Sequence, residues 1–125
     1  MKPFAPSWPV RLTAAAETDF KHIVRWSARQ FGDAQAATYR QTLGLALEAL
    51  MNGGPDIAGV QRRDEIAKGL RSLHVARDGR HGRHFVIFRV RRGGESTGGV
   101  IEVLRLLHDA MDLSRHLRAA DRVKR

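Results

Sequence analysis

Residues 14–50 read AAAETDFKHIVRWSARQFGDAQAATYRQTLGLALEAL, and the pattern inside this stretch decides the fold. Ala16, Phe20, Ile23, Ser27 and Phe31 recur at helical spacing, and Val24 widens the stripe they form. Glu17 and Asp19 fall near the positive end of that helix's dipole, and Arg25 and Arg29 near its negative end. Gly32 supplies the left-handed residue that ends the helix, and Asp33 opens the next one. A second stripe runs through Ala36, Tyr39, Leu43, Ala46, Leu47 and Leu50, and Asn52-Gly53-Gly54-Pro55 closes it. Two long helices joined by so short a turn run antiparallel. Each has a single apolar stripe, so the hairpin needs another layer to cover.

The flanking sequence supplies that layer. Before the hairpin, Pro3, Pro6 and Pro9 forbid a regular helix, so residues 1–9 read as an extended arm. Val10–Thr13 reads as a short strand, with Thr13 placed to cap the first helix. After it, Asp56–Lys68 has no clean period and reads as an irregular loop with room for one helical turn. Leu70–Ala76 reads as a strand with Leu73 and Val75 on one face, and Asp78-Gly79 with Gly82 makes a turn. His84–Val90 (HFVIFRV) is apolar on both faces, which predicts a central, covered strand. GGESTGG (93–99) reads as a flexible hairpin tip, and Val100–Leu107 as the last strand. Met111, Leu113 and Leu117 mark a short amphipathic piece that cannot be stable alone, followed by a basic tail. The expected fold class is α+β: a β-α-α-β-β-β order, with an antiparallel helix hairpin on one face of a small, mainly antiparallel sheet, and a short C-terminal helix. The expected domains are the arm over 1–9, one domain over 10–117 and the tail over 118–125.

Composition narrows the function. The chain has 125 residues, one domain's worth, and 22 Lys+Arg against 13 Asp+Glu give it a net charge of +9. It has no cysteine, which excludes a disulfide scaffold, a thiolate zinc site and a cysteine nucleophile. No apolar run approaches the ~20 residues of a membrane span, and MKPFAPSWPV lacks the apolar core of a secretion signal, so a cytoplasmic protein with no membrane partner is expected. The positive charge favours a polyanionic or acidic partner.

Arg71, Arg77, Arg80, Arg83, Arg89, Arg91, Arg92 and Arg105 fall on or beside the three-strand meander, joined by His74, His81, His84 and His108. Simple alternation puts Phe85, Ile87, Arg89 and Arg91 on one face of the central strand, and Ile101, Val103, Arg105 and Leu107 on one face of the last. A cationic sheet face suits phosphates or an acidic segment; it also suits plain solvation, with arginine stems covering apolar surface. Metal-free RNA cleavage needs a proton acceptor, a proton donor and cations for the extra charge on phosphorus. His108, His84, His74, Arg83 and Arg105 are the residue types for that work, and Asp109 is placed to orient a histidine. His81 and His84 form an HxxH in a turn without a third ligand, so no metal site and no cofactor are expected. The glycines at 93, 94, 98 and 99 match no phosphate-binding motif.

Five segments carry a resemblance to a known superfamily: LTAAAETDFKHIVRW (12–26), FGDAQAATYRQTL (31–43), GLRSLHV (69–75), HFVIFRV (84–90) and VIEVLRLLHDAMDLSRHL (100–117). In order and spacing the chain resembles the ParE/RelE toxins of bacterial type II toxin–antitoxin systems. The LLHDAMD ending, only four lysines, and a lone tyrosine on a helix stripe are similar to the ParE branch. The central strand departs from the common pattern, with Phe88-Arg89 where a tyrosine before an arginine is frequent. The resemblance implies a toxin that binds DNA gyrase without being an enzyme, held in a hetero-oligomer by a cognate antitoxin with an acidic C-terminal segment. It further implies Arg105, His108, Met111, Leu113 and Leu117 as target-binding residues. Tyr39, Leu43, Leu47, Arg71 and Arg89 would meet the antitoxin. The RelE branch implies a ribosome-dependent mRNA interferase instead, a metal-independent endoribonuclease using His108, Arg83 and Arg105. A non-toxic basic binding domain is the third reading.

Overall fold

The computed structural model describes residues 8–92 and 98–117. In chain order it contains β1 (Val10–Leu12), α1 (Ala14–Phe31), α2 (Asp33–Gly53), β2 (Gln61–Arg62), β3 (Arg71–His74), β4 (His84–Arg92) and β5 (Gly99–His108). Residues 113–117 are helical. The strands form one sheet in the order β1-β5-β4-β3-β2. β1 runs parallel to β5, and the other neighbours are antiparallel. The expected α+β order is present with one addition. β2 lies inside the stretch read as a loop and is only two residues long, too short to show a period of two. It forms because the loop folds back on itself: Arg63 N donates to Leu70 O at 2.7 Å, and Gly69 N to Asp64 Oδ1 at 2.8 Å.

Thr13 caps α1, its hydroxyl accepting from Ala16 N at 3.1 Å and donating to Leu104 O in β5 at 2.9 Å. Gly32 (φ +92°) alone separates α1 from α2. The arm before Trp8, the tip at 93–97 and the tail at 118–125 lie outside the described residues. Trp8 itself is docked: its N–H donates to Met51 O at 3.1 Å, and its ring packs on the core.

Two apolar clusters lie on opposite faces of the sheet. Ala16, Leu43, Ala46 and Leu50 of the hairpin bury Leu73, Val75, Val86, Phe88, Ile101, Val103 and Leu106. On the other face Leu70, Ile87, Leu107 and Leu117 form a smaller cluster, with Ile66, Phe85, Leu104 and Leu113 packed against it. The second face is therefore not the open cationic surface that alternation implies: the loop before β3 and the C-terminal helical turn cover part of it.

Two expectations fail for local reasons. The β4–β5 register shifts between Ile87, which faces Arg105, and Phe88, which faces Val103, so Leu104 is an extra residue. This bulge breaks the shared face expected for β5: Ile101 and Val103 lie in the hairpin-side cluster, while Leu107 lies in the opposite one. Phe31 continues the α1 stripe in sequence yet is 63% exposed, because the last turn of the helix borders a cavity.

Candidate functional site

Several cations of the meander are held by carboxylates. Arg105 donates to Asp19 of α1 through Nε (2.8 Å) and a terminal nitrogen (3.0 Å), and Leu106 N donates to the same carboxylate at 2.9 Å. Arg89 and Arg91 share Glu102, at 2.9 and 3.4 Å. Burial pushes the Glu102 carboxyl up, but the two arginines outweigh it and hold it below its ordinary value. Arg71 pairs with Asp56 at 3.4 Å.

A polar cluster gathers where β3 ends, β4 begins and β5 ends. Asp109 follows β5, and its N–H donates to Arg83 O at 2.8 Å. Its carboxylate accepts from His74 Nε2 at 2.9 Å and from Arg83 Nε at 3.1 and 3.2 Å. Those bonds hold the Asp109 carboxyl down to about 2. His74 Nδ1 accepts from Ala76 N at 3.0 Å, so its proton sits on Nε2, facing the aspartate. Asp109 thus orients a histidine, but one 35 positions away across the sheet rather than its neighbour.

His84 sits beside His108, with ring centroids 5.3 Å apart and planes nearly perpendicular. The Tyr39 hydroxyl accepts from Arg83 N at 3.0 Å and is hydrogen-bonded to His84 Nδ1 at 2.7 Å. Burial, and then the neighbouring His108, lower His84 to about 4, so it is neutral at physiological pH. Burial raises the Tyr39 hydroxyl, which stays protonated. His108 Nδ1 accepts from Ala110 N at 3.1 Å, leaving Nε2–H as its donor when neutral. These groups border a cavity of about 550 Å³ between the hairpin tip and the sheet end, walled by Trp26, Phe31 and Tyr39 and bordered by Arg83, His84 and His108. Trp26 is 50% exposed and stands edge-on to Phe31 at 5.7 Å.

The expected site residues divide accordingly. His108 and Arg83 meet around Asp109, whereas Arg105 is tied to α1 and lines a different cavity, of about 400 Å³, beside Arg89 and Leu117. The trio expected for RNA cleavage is not assembled. Leu43 is buried in the hairpin-side core, and Leu117, also buried, shows its edge to the second cavity. Leu47 and Leu113 are half-buried against the two cores, and Met111 is exposed. Sequence reasoning passed over Asp19 and Trp26. Asp19 looked like a dipole residue, and Trp26 sits off the apolar stripe; an aromatic between Arg25 and Arg29 was the available signal. Among the described residues, no cluster of histidines and carboxylates is arranged to hold a metal ion, and no helix is long and apolar enough to cross a membrane.

The architecture defines a class: a helix hairpin laid over one face of a small mixed sheet. A solved chain of that class, described as the chromosomal ParDE TA system from P. aeruginosa, superposes with a TM-score of 0.61 at 21% identity, covering 81% of this chain and 95% of that one. Toxin ParE of Escherichia coli is 32% identical over 114 residues, spanning 90% of this chain and 94% of the relative. The family model for the ParE toxin of type II toxin–antitoxin systems, parDE, matches residues 10–113. The chain belongs to the ParE toxin family of type II toxin–antitoxin systems.

Proposed function

We propose that this ParE-type toxin arrests growth by binding DNA gyrase rather than by cutting RNA, and that a cognate antitoxin neutralises it. The observation that carries this reading is the state of its cations. A metal-free ribonuclease needs free positive charge beside its proton-transfer groups. Here Arg105 is tied to Asp19 away from the histidines, His84 is held neutral, and Arg83, though exposed at the cavity rim, has its charge offset by Asp109. What remains is a shaped surface, suited to recognition. The antitoxin half of the reading is supported by the ParDE system to which the P. aeruginosa relative belongs. A net charge of +9 suits an acidic C-terminal antitoxin segment, chiefly by speeding encounter. Arg89, Arg71, Tyr39 and the rim around Leu47 are its proposed contacts, and His108 and Met111 face the target.

One observation favours the interferase reading: Arg83 bonds the Asp109 carboxylate, and His108 Nδ1 lies 3.7 Å from it. Induced expression in a bacterium, with and without the antitoxin gene, separates the two. Double-strand breaks with intact mRNA are expected, relieved by the antitoxin. Cut mRNA without early breaks would transfer the assignment to an interferase.

A further inference from the structure

The cavity at the hairpin tip combines features that neither core explains. Two aromatic rings, Trp26 and Phe31, are half or more exposed at its mouth. The α1 segment that carries them, residues 20–32, has three cations, Lys21, Arg25 and Arg29, all exposed, and no carboxylate. On a helix, Arg29 lies one turn from Trp26, so charge and ring share a surface. Across the cavity, Arg83 keeps a side chain 68% exposed despite its bond to Asp109. His108 has Nδ1 occupied by the Ala110 N–H, so in the neutral form it offers Nε2–H, and His84 lies beside it with its Nδ1 engaged by Tyr39. The wall is therefore a π surface and the far side is a set of hydrogen-bond donors.

We propose that this cavity binds single-stranded nucleic acid, an unpaired base stacking on Trp26 and Phe31. Base or phosphate acceptors meet Arg83 and the His108 imidazole N–H, and the flanking phosphates follow Arg25 and Arg29. A nucleotide carries a flat π face and several acceptors on one small body, which is the complement of this wall. A partner helix has its own carbonyls engaged and would meet those donors only through side chains. A second copy of the chain is disfavoured by like charge. Exposed aromatics beside a cationic track are the general means by which proteins hold unpaired strands.

The test is fluorescence anisotropy with the full chain and labelled single-stranded oligonucleotides, DNA and RNA, over a salt series. Single strands are expected to bind better than the matching duplex. Trp26→Ala is expected to weaken binding by about tenfold, in line with the loss of one stacked base, and Phe31→Ala by a similar factor. Both residues are exposed, so circular dichroism is expected to show an unchanged fold. The proposal fails if duplex binds as well as single strand. It also fails if Arg25→Gln and Arg29→Gln weaken binding while Trp26→Ala does not, since that is plain electrostatic adhesion. Loss of binding to an acidic antitoxin peptide on Trp26→Ala, with no oligonucleotide affinity, would assign the cavity to a protein. None of these measurements contains a topoisomerase, so failure here leaves the gyrase reading standing.

Discussion

His84 is held neutral by its surroundings, and that has a measurable cost. Its folded-state value is about 4, against about 6.5 for an unperturbed imidazole. Below pH 6.5 the unfolded chain takes up a proton that the folded chain refuses. The stability contributed by neutral His84 is therefore present above pH 6.5, falls as the pH drops, and stops changing for this group below about 4. Replacing it with glutamine (His84→Gln) is expected to flatten the pH dependence of the urea midpoint across that window. An unchanged slope would mean that His84 titrates normally. Asp109 acts in a lower window. Its value is lowered to about 2, so its contribution is complete above about 3.8 and is lost as the pH falls towards 2. Asp109→Asn is expected to lower the urea midpoint at pH 7 and to shift the His74 Nε2 proton resonance by NMR. Part of this was legible in the sequence. Asp109 beside a histidine suggested an orienting carboxylate, but which histidine it meets depends on strand register. Tyr39 stood on a helix stripe, and nothing in its spacing reveals that its hydroxyl would meet the start of β4.

Among the elements, β5 does the most to join the layers. Its bulge at Leu104 lets both Arg105 and the Leu106 N–H reach Asp19 on α1. That carboxylate accepts three hydrogen bonds, and its side chain is only 15% exposed. Asp19→Ala is expected to cost about 2–3 kcal/mol in urea unfolding. In a double-mutant cycle, Arg105→Ala is expected to add little once Asp19 is gone. Full additivity would show that the pair is no link. The helix hairpin was readable because long amphipathic periods leave little choice, and the meander because strands alternate between turn signals. A bulge leaves no trace in such patterns: it adds one residue to an otherwise regular strand. Periodicity likewise says which face of α1 is apolar and not how far the layer beneath it extends, which is why Phe31 was read as core.

At the scale of the whole molecule, charge governs encounter. A net charge of +9 should draw the proposed acidic antitoxin segment quickly at low salt. Stopped-flow association is expected to slow by about tenfold or more from 50 to 500 mM salt, with dissociation changing less. A salt-independent association rate would mean that the apolar contacts alone set recognition.

The parallel seam between β1 and β5 has a consequence for how the molecule comes into being. Thr13 binds the carbonyl of Leu104, 91 positions further along, and Val10 lies against Ile101. The N-terminal strand is made first and must wait for a partner that is made late. Until then the helix hairpin has formed beside a layer with no completed sheet. Closing so long a loop is also slow, because its entropy is lost before any contact repays it. The sheet therefore stays incomplete while its last strand is still being synthesised. A chain that ends before Gly99 lacks Ile101, Val103 and Leu106, and the helix stripe is left without that part of its cover.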